Sequence, residues 1–410
     1  MQSFTQRFSS TLEQYRFPRS FWVLTLGSFV NRLGNFIIPF FSLYLTAYRH
    51  LSIGETTLVI SLMGFGSLAA GICGGVLADT LGRRTTILIS TLAATGMMLA
   101  LSFATTIWII VPLAIIYTFF SDMQRPASSA TIADVTPSDK LSQAYGLRYW
   151  ANNIGNAIGP VLAGLLAPIS YLLLFIGDAF TTFCFAVLVW FGVPETHVYR
   201  TQKKEGEQLQ RSGQVSRALT DPLLWIYGIL AFFFDAIYIQ DMTAMPLDMQ
   251  AHGLQPLAYG SVMAINAALV VAISLPLTAF FSHRSRNLTL ALAALLLGTG
   301  MGLFSWLHSY PGYLLGVIIW TLGEILNLPI SMTIIADISP KHLRGTYQGV
   351  FQTIRAFSIV IAPALGGFVL QNLGAAFFWQ CCLIVGVLVA TGYVVLEKAR
   401  QQRKNEDSIS

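Results

Sequence analysis

Charge is scarce in this chain of 410 residues: Asp, Glu, Lys and Arg make up 10% of it against 54% hydrophobic residues, and the mean hydropathy is +0.63. A soluble globular chain carries about 25% charge, so the balance excludes that class. Apolar runs continue for about twenty residues without period-two alternation, which excludes a β-barrel as well and leaves membrane-spanning helices. Catalytic patterns are missing too. Without GxxxxGK[ST] no P-loop holds ATP phosphates, and neither HExxH nor GxSxG supplies a metal or a nucleophile. No reaction, no cofactor and no metal is implied, so energy must come from an ion gradient or from the substrate's own gradient. Cysteine is rare: Cys73, Cys184, Cys381 and Cys382 all fall in apolar runs without a nearby His, which suits core packing. Gly298-Thr-Gly300-Met-Gly302 imitates a nucleotide loop but lies in an apolar span, where close helix packing explains it. No cleavable signal peptide is visible, and residues 1–18 are expected to lie along the membrane surface.

Against these absences stands an internal repeat. The stretch from Pro126 to Gly164 recurs as Pro329 to Gly367 at a constant offset of 203, with eleven identities in thirty-nine positions where background composition would give roughly three. Each copy reads as an apolar helix ending in an Ala-Asp-x-x-Pro turn, followed by a helix with a Pro near its middle. Two fused halves of this kind build transporters. The halves are expected at 1–193 and 222–410, joined by a polar linker over 194–221.

Twelve spans are expected near 19–47, 55–79, 84–104, 108–134, 141–167, 171–193, 222–250, 256–281, 288–308, 311–336, 344–371 and 375–396. Both termini then lie on one side. Of the 24 Lys and Arg residues, nineteen fall on that face and only Arg49 in an opposite loop. By the positive-inside rule the nineteen-residue face is cytoplasmic, in what is expected to be a bacterial inner membrane. The net charge of +5 therefore reports topology and needs no nucleic-acid partner. Asn287-Leu-Thr289 has glycosylation spacing on the wrong side to be used.

Between the second and third spans the sequence reads Gly75-Val-Leu-Ala-Asp79-Thr-Leu-Gly82-Arg83-Arg84. It resembles the signature loop of the major facilitator superfamily, G-x-L-a-D-r-x-G-r-k. The resemblance implies an all-helical fold of two pseudo-symmetric six-helix bundles, with Asp79 and Arg83 latching the cytoplasmic side closed against the start of the eleventh helix near Arg344. The corresponding loop of the second half, Ser282-His-Arg-Ser-Arg286, keeps only Arg286 at the offset of 203, so the latch is expected to be asymmetric. In the fifth span Gly155-x-x-x-Gly159-Pro160 resembles the antiporter motif of exporters in this superfamily, and is also a small-residue packing seam with a kink. Thr321-Leu-Gly323-Glu324 and Tyr149-Trp150-x-x-Asn153 resemble twelve-helix multidrug–proton antiporters, while Arg32-Leu-Gly34 with Pro39-Phe40 and Leu43-Tyr44-Leu45 resembles a group that includes small-peptide exporters. One departure is the fourth span, where Asp122 and Arg125 stand in place of the Arg usual in drug antiporters.

Charges inside lipid cost at least ~2.5–3.5 kcal/mol each on insertion scales, so each needs a reason. Asp122 and Arg125, three apart on one helix, can neutralise each other, and Asp178 is expected to be structural. Arg32, Asp235, Glu324 and Arg355 fall near span middles, where the family lines its cavity. Glu324 has no basic neighbour on its own helix and is the first choice to carry the coupling proton, with Asp235 and Asp241 as rivals and Asp122 also in the acidic set. Arg32, Arg148 and Arg355 are expected to meet a substrate whose apolar body rests on Phe36, Tyr44, Tyr149, Trp150, Phe234 and Tyr238. Gly75, Asp79, Gly82, Arg83, Arg84, Gly155, Gly159 and Pro160 are the gating set. The expected protein is a monomeric proton-coupled antiporter exporting small amphiphilic molecules, in contact with membrane lipid. A nutrient importer and a lipid flippase of the same fold are the alternatives.

Overall fold

The computed structural model of the chain describes residues 17–137, 140–195, 219–281, 283–340 and 343–409. The expected surface segment before residue 17 and the interior of the polar linker lie outside them. The described residues form helices throughout, in the order α1 (Arg19–Tyr48), α2 (Ile53–Thr80), α3 (Arg83–Phe103), α4 (Ile107–Val135), α5 (Leu141–Leu166), α6 (Tyr171–Gly192), α7 (Pro222–Ala251), α8 (Pro256–Phe281), α9 (Arg286–Ser305), α10 (Tyr310–Ile338), α11 (Arg344–Leu373) and α12 (Ala375–Ile409). Eleven of these are long and apolar enough to cross a membrane. The exception is α5, diluted by Gln143, Arg148, Asn152, Asn153 and Asn156. These are the expected twelve spans, in two six-helix bundles.

Helix starts follow local chemistry. At α2, Ser52 Oγ accepts from the Glu55 amide at 3.2 Å while the Glu55 carboxylate accepts from the Ser52 amide at 2.9 Å, a reciprocal cap. Asp221 accepts from the Leu223 amide at 2.9 Å ahead of Pro222, pairing a capping carboxylate with a residue whose missing N–H costs nothing in the first turn. Between α2 and α3 the chain turns at Gly82, whose φ of 99° suits glycine alone.

Two spans expected to be continuous are broken. α1 stops at Leu33 and resumes as Ile37–Leu43; α7 stops at Tyr238, passes through a 3-10 turn Ile239–Asp241, and resumes as Ala244–Ala251. Proline is the cause in both. A helical proline lacks the amide for the carbonyl four residues back and clashes with it. Pro39 thus displaces Asn35, and Pro246 displaces Met242, each just inside the resumed helix. Such breaks persist at membrane depth only where protein or a cavity satisfies the freed groups. Here the Asp178 carboxylate of α6 approaches the Ile37 amide at 3.5 Å, and Ser42 Oγ approaches the Met242 carbonyl at 3.5 Å.

The bundles meet at the end opposite the Arg83, Lys140, Arg286 and Arg344 loops. There the first half of α2 packs on the second half of α11: Ser61 Oγ donates to the Val360 carbonyl and accepts from the Ala364 amide at 3.2 Å. The second half of α5 packs on the first half of α8, so closely that a Cβ added to Gly164 would sit 2.8 Å from Leu257 Cα and one added to Gly260 would run into the Pro160 carbonyl. Phe40 of α1 meets Tyr259 of α8 edge-to-face at 5.3 Å. Toward the basic end α2 and α11 part, and a Cβ on Gly75 or Gly349 would meet nothing within 4 Å. The molecule is closed at one end and open at the other.

Gly260→Leu should prevent that closed seam from forming and shift the protein toward the alternative state. Spin labels at Gly75 and Gly349, on α2 and α11, should then draw closer together than in the parent. An unchanged distance distribution would show that the seam does not set the conformation.

Candidate functional site

Three cavities lie along the midplane between the bundles. One of about 220 Å³ is walled by α1, α2 and α4 and reaches the α7 break at Ile239, Met242 and Thr243. The second, about 150 Å³, shares Arg32, Asn35 and Met242 with the first and is completed by Asn153, Asn156 and Pro160 of α5, Tyr238 and Asp241 of α7, Asn266 of α8 and Glu324 of α10. The third, about 300 Å³, shares Val270 and Glu324 with the second and carries Tyr149, Leu275 and Pro329. Both helix breaks therefore open onto the middle cavity.

The position of Arg32 follows from α5. Gly155 and Gly159 leave room for α1, since a Cβ on Gly155 would sit 2.8 Å from Arg32 Cβ and one on Gly159 3.1 Å from the Arg32 carbonyl oxygen. The exporter-like motif thus seats the end of the first half-helix of α1 against α5. Among the described residues Arg32 pairs with no carboxylate.

Across the middle cavity the second bundle supplies two carboxylates. Glu324 accepts from Tyr238 Oη at 2.9 Å and from Asn266 Nδ2 at 2.9 Å, and the same Asn266 amide donates to Thr321 Oγ1 at 2.9 Å. Asn266 Nδ2 can only donate, whereas the Tyr238 hydroxyl can also accept, so a proton on this carboxyl would reverse the bond to Tyr238 and weaken the one from Asn266. Asp241, 1% exposed, has no hydrogen-bond donor of good geometry on either oxygen. Thr321 belongs to the Thr321-Leu-Gly323-Glu324 motif and lies three residues before Glu324, on the same face; Asn266, in an apolar stretch of α8, carries no sequence signal of its own.

Other candidates are already neutralised or buried in packing. Arg355 donates to Asp235 through Nε at 2.6 Å and Nη2 at 2.8 Å, a two-pronged pair, and neither residue lines the three cavities. Their expected roles, substrate contact and rival proton carrier, are replaced by mutual neutralisation. Asp122 pairs with Arg125 at 2.8 Å on the wall of the first cavity, where Ser67 Oγ also donates to it. Phe36 packs on Gly177 of α6; Tyr44 stacks among Phe41, Tyr48 and Phe175 and accepts from Arg49 Nε at 2.6 Å; Phe234 is 2% exposed. These three aromatic residues were expected on the cavity wall and instead fill the core. Arg148 and Trp150 lie outside the three cavities, whereas Tyr149 and Tyr238 line them.

The basic end carries a second constellation. Arg83, 9% exposed, reaches Asp79 at 3.4 Å, Asp134 at 3.1 Å and the Ala78 carbonyl at 3.0 Å. In this open state it braces α2, α3 and α4 within one bundle. Arg84 donates to the Trp190 carbonyl at 2.7 Å, and Glu195 accepts from the Arg84 and Thr85 amides at 3.0 and 2.9 Å, a carboxylate at a helix N-terminus. The second bundle repeats the brace: Arg286 donates to Asp337, both members displaced by 203 from Arg83 and Asp134. The expected asymmetry is thus confined to the third member, because Ser282 stands where Asp79 would fall. Asp134 and Asp337 are the Asp of the repeated Ala-Asp-x-x-Pro turn, the one sequence signal that marks this pair.

The sequence pattern of the Major Facilitator Superfamily matches residues 24–363. The chain belongs to this superfamily. It is 26% identical over 361 residues to the MFS-type transporter YttB of Bacillus subtilis, covering 87% of this chain and 90% of that one. It is 22% identical over 413 residues to a Na(+), Li(+), K(+)/H(+) antiporter of Planococcus maritimus, covering 92% and 95%. The crystal structure of the nucleoside transporter NupG superposes with a TM-score of 0.79 at 13% identity, over 92% of this chain and 99% of that one, a likeness of fold. The protein is a multi-pass membrane transporter of small molecules and not an enzyme.

Removing Asp134 should cost more than removing Asp337. Asp134 shields a guanidinium whose side chain is only 10% exposed, whereas the Arg286–Asp337 pair is 39% and 43% exposed. Asp134→Asn is expected to lower stability by about 1–2 kcal/mol, between the surface and buried limits, and Asp337→Asn by under ~1 kcal/mol. Thermal unfolding of the purified protein measures both, and the reverse order would contradict the bracing role.

Proposed function

We propose that this transporter is a proton-coupled antiporter that exports small amphiphilic molecules, zwitterionic or peptide-like compounds being the best fit. The observation that carries the reading is the middle cavity, where Arg32 without a carboxylate partner lies on one bundle's wall and Asp241 and Glu324 on the other's. A substrate carboxylate would meet Arg32, its amine the acidic wall, and its apolar body Tyr149, Tyr238 and the aliphatic side chains between them. By the positive-inside rule the basic, open end faces the cytoplasm, with both termini there, in a bacterial inner membrane. Substrate then enters from inside. The Asp79–Arg83 pair becomes the latch when the bundles rock and the basic end closes.

Glu324 supplies the coupling. In the state open to the outside it takes a proton, which reverses its bond to Tyr238 and weakens the one from Asn266; in the inward state it loses the proton and offers its charge to an amine. One proton entering down ~100 mV contributes about 2.3 kcal/mol, and one pH unit adds about 1.4, which for a neutral substrate supports a gradient of roughly 500-fold. A second reading is alkali-cation–proton exchange, favoured by the two carboxylates standing beside the amides of Asn35, Asn153, Asn156 and Asn266 in one cavity.

Everted vesicles decide between these. An acid-loaded lumen should alkalinise when dipeptides or zwitterionic amphiphiles are added; a response to Na+ or K+ alone would favour the second reading, and none to either, with uptake of a nutrient instead, an importer. Glu324→Gln should retain substrate-induced thermal stabilisation and downhill exchange while losing proton-driven efflux. Full proton-driven efflux in that variant would move the coupling to Asp241. Arg32→Ala should weaken a zwitterionic ligand and leave its esterified analogue unchanged; equal affinities in parent and variant would remove the assigned orientation.

A further inference from the structure

At the closed end, away from the transport cavities, a second polar cluster sits inside the second bundle. Asp248, on the resumed half of α7, is 2% exposed, and its Oδ2 accepts from Tyr313 Oη of α10 at 2.7 Å and from Trp379 Nε1 of α12 at 2.9 Å. Its Oδ1 has no hydrogen-bond partner and lies 3.4 Å from His252 Nδ1, one helical turn on. His252 Nδ1 also lies 2.8 Å from the Asp248 main-chain carbonyl, which fixes that ring. His308, on the α9–α10 connection, stacks on His252 with centroids 4.0 Å apart and planes within 3°, and its Nδ1 is buried without a partner. One nitrogen from each ring and one carboxylate oxygen lie within 4.8 Å of one another. Among the described residues no Lys or Arg approaches Asp248 within 4 Å.

We propose that Asp248, His252 and His308 form a binding site for a divalent transition-metal ion of the zinc class, reached from the face opposite the basic loops. Two imidazole nitrogens and one carboxylate oxygen are the donor set that Zn2+ and Co2+ prefer over alkali or alkaline-earth cations. A metal lies in the plane of each imidazole it binds, and parallel planes do not meet, so one ring must turn. That ring is His308, whose Nδ1 is uncommitted, and rotation about its last torsion is soft. The hydrogen bonds from Tyr313 and Trp379 orient the carboxylate, as outer partners do in metal sites, and leave Oδ1 for the ion. Water completes the coordination. The bound ion would tie the resumed half of α7 to the connection ahead of α10, fixing the half-helix that ends at the α7 break.

The test uses the full-length protein in detergent, purified through a histidine-free tag, with Zn2+ and Co2+ alone as probes. Calorimetry should give one tight Zn2+ equivalent, Co2+ should develop a visible ligand-field band, and Zn2+ should raise the melting temperature. His252→Ala and His308→Ala should each weaken Zn2+ by more than the 10- to 100-fold that loss of an outer partner costs and abolish the Co2+ band. These variants carry the test because Asp248→Asn would also disturb the acceptor of two buried donors. Zn2+ binding of equal strength in parent and both variants, or no binding stronger than that of the double variant, overturns the proposal; so does a cluster whose melting temperature responds to pH through both histidines but not to metal.

Discussion

Inside a bilayer every backbone amide and carbonyl must find a partner in the protein, and this transporter breaks that rule's simplest solution at two places. Pro39 and Pro246 each deny a hydrogen bond to the turn four residues back, so α1 and α7 lose their continuity at mid-membrane. Unpaired groups cannot face lipid. The breaks consequently turn inward, Arg32 and Asn35 at one and Asp241 and Met242 at the other reach the same cavity, and the rest of the protein is arranged to enclose it. The small-residue face of α5 then brings that helix against the first break, while Asp178 of α6 holds the amide that the second half of α1 exposes.

The buried charges sort by the same economy of partners. Asp235 with Arg355, and Asp122 with Arg125, are neutralised close to where they stand. Their charge is spent on architecture. What remains on the middle cavity is one guanidinium opposite two carboxyl groups, and that remainder gives the cavity a polarity that neither bundle has alone. Hydrogen-bond donors from two other helices converge on Glu324, so a change in its protonation is felt by α7 and α8 together.

Much of this was legible beforehand, and the failures have physical causes. Composition and run length gave the helices, and the offset of 203 gave the two-fold plan. The signature loop placed the Arg83 turn. The breaks leave no trace in hydropathy, which is blind to a single Pro in an apolar run such as those that hold Pro39 and Pro246. Phe36, Tyr44 and Phe234 were misplaced for a different reason: one face of a spanning helix looks much like another when both are apolar, and only the neighbouring helices decide which turns inward. Asp235 and Arg355 are 120 positions apart, and no local pattern announces such a pair. Asp134 and Asp337 were visible as a repeat but not as partners of Arg83 and Arg286, because contact between a loop and a distant helix end is a property of the bundle.

The seam at the closed end has no titratable group in its tightest contacts. Ser61, Gly164, Gly260 and the main-chain atoms of Pro160, Leu257 and Val360 mate by shape and by neutral hydrogen bonds. Shape does not respond to acidity. A change of pH on that side therefore leaves these contacts as they are. Such a barrier shuts one end of the cavity without using a charge.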